Sequence, residues 1–141
     1  MSKFNAFLAQ NKVKHENIKY RLSADFLDED GQPAEWELRH LGAEENEQLQ
    51  RESMVKVSVP GKPGQFNQEL DIGKYNLKMA CCSVVSPDLN DKELQDSYGV
   101  MGAEKLLLKM LSAADYNKLT SKIVEFNGFK SINDDVEEAK N

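Results

Sequence analysis

The residues able to do chemistry in this chain are few and scattered. His15 and His40 are the two histidines, and neither belongs to a ligand pattern such as His-x-x-x-His. His15 falls in a polar N-terminal stretch, and His40 reads as a strand residue opposite Tyr20. Cys81 and Cys82 are adjacent, so a disulfide between them would need a strained geometry, and no further cysteine completes a metal or redox set. They read as free, buried thiols behaving as small hydrophobes. The run Asp28-Glu29-Asp30-Gly31 resembles a calcium loop, but setting Gly31 as its sixth position puts Phe26 at the first, where a carboxylate is required. Pro60-Gly61-Lys62-Pro63-Gly64 lacks the Gly-Lys-Ser/Thr of a phosphate loop, and no serine has a nucleophile-elbow setting. These residues predict a chain with no catalytic, cofactor-binding or metal site.

Charge is more informative than chemistry. The net charge of −6 over 141 residues is unevenly spread. Residues 25–52 hold ten acids against Arg39 and Arg51, whereas the remainder holds 14 acids and 16 bases. This argues against nucleic acid as a partner, because phosphate binding needs a basic patch. The acidic segment reads either as a well-solvated hairpin and helix or as a face for a basic partner. No apolar run approaches the ~18–20 residues of a membrane span, and the N-terminus lacks the apolar core of a secretion signal. The expected location is the cytoplasm.

The elements follow from periodicity. Phe4, Phe7 and Leu8 at i, i+3 and i+4 predict a short amphipathic helix over 2–14, whose aromatics need cover from the core or from a partner groove. Ile18 to Phe26 and Trp36 to His40 alternate with polar neighbours, predicting a β-hairpin over about 18–41. Parity selects a three-residue loop, Glu29-Asp30-Gly31 with left-handed glycine, pairing Phe26 with Ala34, Ala24 with Trp36, Leu22 with Leu38 and Tyr20 with His40. A polar surface helix anchored by Leu49 covers 43–53. Val55, Val57 and Val59, with Phe66 to Leu70, predict a second short strand pair.

Asp71 caps a central helix running to about Val85, with Ile72, Tyr75, Met79 and Cys82 on one stripe. Asn90 caps a short helix through Tyr98. Gly99 ends it in a left-handed conformation, and Gly102 allows close backbone approach at the start of the next helix. That helix carries Ala103, Leu106, Leu107, Met110 and Leu111 inward, leaving Leu108 on the charged face. Ser112 with Asp115 opens a last helix bearing Tyr116, Leu119, Ile123 and Phe126, stopped at Gly128. The fold class is α+β: a mainly helical domain over 1–129, its hairpin packed against C-terminal helices, and a polar acidic tail over 130–141.

Residues 94–104, followed by Leu106, Leu107, Met110 and Leu111, closely resemble the XkdN-like tail assembly chaperones of contractile-tailed Bacillus phages and prophages. Further matches lie in residues 7–12, in Phe26 to Gly31 leading to Glu35-Trp36-Glu37, in Val59-Pro60-Gly61-Lys62, in Asn127-Gly128-Phe129 and in residues 137–141. The resemblance implies a non-catalytic protein that keeps the tape measure protein soluble, helps the tail tube protein polymerise around it, and is absent from the finished virion. An alternative is a structural completion or connector protein retained in the particle. Exposed apolar residues would carry partner binding, and Phe4, Phe7, Leu8 and Leu108 are the candidates.

Overall fold

Among the described residues, three strands and five helices hold the core, and a second pair of strands forms a separate sheet. A computed structural model describes residues 3–129. The elements are β1 (Ile18–Arg21), β2 (Glu35–Leu38), α1 (Ala43–Glu52), β3 (Met54–Ser58), β4 (Phe66–Leu70), α2 (Ile72–Ser83), β5 (Val84–Ser86), α3 (Lys92–Ser97), α4 (Ala103–Met110) and α5 (Ala113–Asn127). One antiparallel sheet has the order β1-β2-β5, and β3 pairs with β4 alone. The fold class is α+β, as the periodicity predicts. The expected tail over 130–141 lies outside the described residues.

The first hairpin keeps the expected turn and parity but not the expected register. Asp28 N–H donates to Gln32 O at 2.7 Å and Gly31 has φ +80°, so Glu29-Asp30-Gly31 is the three-residue loop. Leu27 bridges Pro33, in the register expected at the tip. Below it the ladder pairs Tyr20 with Trp36 and Ile18 with Leu38 instead of Tyr20 with His40 and Leu22 with Leu38. The difference arises in a turn closed by Phe26 N–H to Ser23 O, which takes Leu22 to Asp25 out of the ladder. This excursion buries Leu22 and brings Ser23 Oγ to Asp115 Oδ2 on α5, at 2.6 Å. Arg21 braces it from outside, with its guanidinium 3.1 Å from both Asp28 and Glu35.

Helix α2 is central, packing against α1, α4, α5 and β5. Asp71 caps it by accepting Lys74 N–H at 3.0 Å. It ends at Ser83 rather than near Val85, because the β-branched pair Val84-Val85 enters a strand on the open edge of β2. Burial is concentrated in its second half, at Met79, Ala80 and Ser83, while Ile72 in the first turn is exposed, contrary to the stripe expected for it.

Two local readings shift. Asp91, not Asn90, caps α3 by accepting Leu94 N–H at 2.9 Å, while Asn90 N–H is taken by Asp88. Gly99 has φ +65°, as expected of a helix stop, but a Cβ on Gly102 would meet nothing within 4 Å. Gly102 is required by its φ of +99°, not by close approach. Gln95 holds this corner through Gly102 N–H to Oε1 at 3.0 Å and Nε2 to Leu89 O at 2.9 Å.

Leu106, Leu107 and Leu111 of the α4 stripe are buried, together with Leu119 and Ile123 of α5 and Trp36 and Leu38 of β2. Ser112 Oγ accepts Asp115 N–H at the start of α5. Gly128, at φ +75°, closes it with Phe129 N–H donating to Val124 O at 2.9 Å. This is a Schellman ending, with glycine at the expected stop.

Candidate partner-binding surfaces

The N-terminal stretch does not form the expected amphipathic helix. Asn5–Phe7 and Ala9–Asn11 are single 3-10 turns, stapled by Asn11 Nδ2 donating to Asn5 O at 2.7 Å. A few residues without a continuous partner face cannot repay helix nucleation. Phe4 and Phe7 are 64% and 83% exposed, and Leu8 is half-buried. The aromatics thus stay at the surface instead of docking on the core.

His15 meets the ring of His40 at 4.5 Å between centroids, and His40 in turn meets Phe126 of α5 at 3.8 Å. His40 lies beyond the end of β2, so it is not the strand partner of Tyr20 that its parity suggests. The rings are tilted by 37° between the histidines and by 40° between His40 and Phe126. Among the described residues no group of three or more His, Cys, Asp or Glu could hold a metal ion.

Leu108 is 53% exposed and borders a groove of about 590 Å³ between α1, α2 and α4. Leu49, Leu77, Cys81, Met101 and Ala103 supply its apolar lining. Lys78 Nζ crosses its wall, 3.7 Å from Glu104 and 3.9 Å from Glu52. Phe4, Phe7 and Leu8 do not line this groove, so the candidate residues fall on two surfaces rather than one. Met101 escapes a reading by periodicity because it lies in the glycine corner, outside any helix stripe, yet it is 85% exposed on the groove rim.

The acidic segment is largely structural where it is folded. Asp28 Oδ1 accepts the N–H groups of Asp30 and Gln32, both at 2.9 Å, which explains the Asp-Glu-Asp-Gly run without a cation. The Gln32 N–H, then Arg21, hold the Asp28 carboxyl below its ordinary value. The Arg39 guanidinium likewise lowers Glu45, whose carboxylate also accepts Gly42 N–H at the start of α1. Among the described residues Asp25, Glu29, Asp30 and Glu44 make no ion pair, and they remain available to a basic partner.

Both cysteines are free and half-buried. Burial pushes the Cys81 thiol up to about 12, with Glu104 adding to the effect, and burial raises Cys82 as well. The thiolate is the reactive form, so the native chain should react with a disulfide reagent at pH 8 at least ~tenfold more slowly than the urea-unfolded chain. Because the folded value of Cys81 lies above its unfolded 9.0, its contribution to stability is complete below pH 9 and declines as the pH rises toward 12. Rapid native labelling of both thiols would contradict this environment.

The described residues thus keep large apolar side chains exposed in two places, at the N-terminal turns and on the rim of the groove. The model of the phage XkdN-like tail assembly chaperone proteins matches residues 4–140. The phage-like element PBSX protein XkdN of Bacillus subtilis (strain 168) is 28% identical over 137 residues, covering 96% of this chain and 91% of that protein. The protein YqbN of the same strain is 25% identical over 134 residues, covering 94% and 89% respectively. The crystal structure of YqbN superposes with a TM-score of 0.76 at 20% identity, over 92% of this chain and 99% of that one. The α+β fold is therefore shared with a solved relative, and the chain belongs to the phage XkdN-like tail assembly chaperone family.

Proposed function

We propose that this protein is a non-catalytic chaperone that binds the tape measure protein of its phage in the host cytoplasm and assists assembly of the tail tube around it. The observation that carries this reading is the family match over residues 4–140 in a chain that keeps large apolar side chains at its surface. Phe4, Phe7 and Leu8 form one contact region, and Leu108 with Met101 on the groove rim forms another. Apolar anchors in a concave site are suited to the amphipathic helices of a long partner, which they would shield from self-association. The unpaired carboxylates at the hairpin tip and on α1 favour basic residues flanking those anchors.

Co-expression with the tape measure protein of the same tail module tests this. The expected result is a rise in soluble tape measure protein and a co-purifying complex. Leu108→Glu should weaken that complex at least about tenfold with an unchanged circular dichroism spectrum, since a truncated anchor at an interface centre costs ~2 kcal/mol or more. No gain in solubility together with no complex would overturn the reading. Detection of the chain in purified virions at the abundance of a tail protein would make it a structural component instead.

A further inference from the structure

Among the described residues the second sheet is a two-stranded ribbon with no further strand, and such a ribbon is marginal in water on its own. Met54, Val57, Phe66 and Leu70 on it are all more than a third exposed. Its ladder pairs Met54 with Leu70, Lys56 with Gln68 and Ser58 with Phe66 on one face, and Val55 with Glu69 and Val57 with Asn67 on the other.

Hydrogen bonding identifies which groups remain open. Val59 N–H donates to Gln65 O at 3.1 Å, and Asp71 N–H donates to Ser53 O at 2.9 Å. Bonded and non-bonded pairs alternate in an antiparallel ladder, so Asn67 and Glu69 bond to β3. Phe66, Gln68 and Leu70 therefore turn their N–H and C=O groups to the outer edge of β4, where the sheet has no further strand among the described residues. By the same alternation Met54, Lys56 and Ser58 face the outer edge of β3.

We infer that the outer edge of β4 pairs antiparallel with β4 of a second copy, centred on Gln68, to form a four-stranded sheet across a two-fold axis. In this register Phe66 lies opposite Leu70 of the second copy, Gln68 opposite its own counterpart, and Leu70 opposite Phe66. Every outward group is used, giving about six backbone hydrogen bonds. Each Phe66 gains an apolar neighbour, and Met54 extends the same row through Leu70. On the opposite face Asn67 lies across from Glu69, an amide donor against a carboxylate.

The charge pattern selects β4 over β3. Maximal overlap of two β3 edges would set Lys56 directly opposite Lys56, and like charges so placed are destabilising. A lysine at the centre of an edge strand is a common guard against pairing, and β4 has a neutral glutamine there. A strand from another protein could use the same edge, but the pattern about Gln68 is self-complementary and points to a second copy.

Sedimentation of the full chain over a concentration series tests this, with two variants. Wild type should show a monomer–dimer equilibrium. Gln68→Lys should raise the dissociation constant at least tenfold by placing like charges across the axis. Gln68→Pro should do the same, because it deletes an outward N–H that β3 does not use and proline is tolerated on such an edge. Lys56→Gln, on the other edge, should leave the equilibrium within about twofold. Circular dichroism confirms that each variant folds, and Gln68→Lys suffices if the proline variant does not. A chain that stays monomeric to hundreds of micromolar would overturn the inference, and so would a dimer unaffected by both Gln68 variants. Tape measure binding is not measured, so the outcome is independent of the proposed partner.

Discussion

Replacing Trp36 with alanine is expected to cost about 3–5 kcal/mol of folding stability. Trp36 is 2% exposed on β2, with Phe26 edge-on at 6.2 Å between ring centroids. Truncation removes the largest side chain of the core and leaves a cavity that the ladder to Tyr20 and the helices behind it fill only in part. Total stability for a domain of this size is ~5–15 kcal/mol, so the loss is a large share of it. A fall in Tm of roughly 10–20 °C, followed by circular dichroism, is the expected readout. Leu27→Ala, a truncation of an apolar residue in the same hairpin that is 60% exposed, should change stability by less than about 0.5 kcal/mol. Equal effects from the two would mean that the tryptophan is not in the core.

Gly102→Ala is expected to destabilise by about 1–3 kcal/mol, although the space around it is open. At φ +99° and ψ +147° Gly102 occupies a backbone region that is essentially restricted to glycine, and a Cβ there strains the chain without touching a neighbour. The strain falls at the joint between α3 and α4 that Gln95 holds, so it would misdirect the Leu106 and Leu107 stripe. Gly73→Ala is the control with the opposite sign. Gly73 is within α2, where its added Cβ would meet only Asp71 Oδ1 at an ordinary 3.5 Å, and alanine there should stabilise by roughly 0.5–1 kcal/mol. Urea midpoints that move in opposite directions are the expected outcome. An unchanged midpoint for Gly102→Ala would rule out the positive φ.

Signals confined to a few residues were legible in the chain itself. Asp71 and Ser112 cap their helices because an oxygen on a short side chain reaches an N–H three residues on, whatever lies beyond. Gly31, Gly99 and Gly128 are left-handed for equally local reasons, and the α4 stripe follows from helical period alone. The same sequence places Leu108 on the outside of α4, where it is found. Candidate binding residues were legible only as apolar positions with no assigned cover, since recognition of a helical partner leaves no spacing as distinctive as a metal or nucleotide site.

What depended on distant partners was not legible. The register of the first hairpin is set by the excursion of residues 22–25, which brings Ser23 to Asp115, 92 residues away in sequence. The end of α2 is decided by the open edge of β2, which draws Val84 to Ser86 into a strand. Periodicity shows which residues share a face but not what covers that face, so it could not tell that Phe4, Phe7 and Ile72 stay exposed. The same gap hides the ribbon of β3 and β4, whose alternation predicts two paired strands and says nothing of whether a third lies beside them. Local hydrogen bonding and side-chain period were thus determined by the sequence, while burial, register and open edges were decided by the tertiary structure, because each is a property of two surfaces brought together.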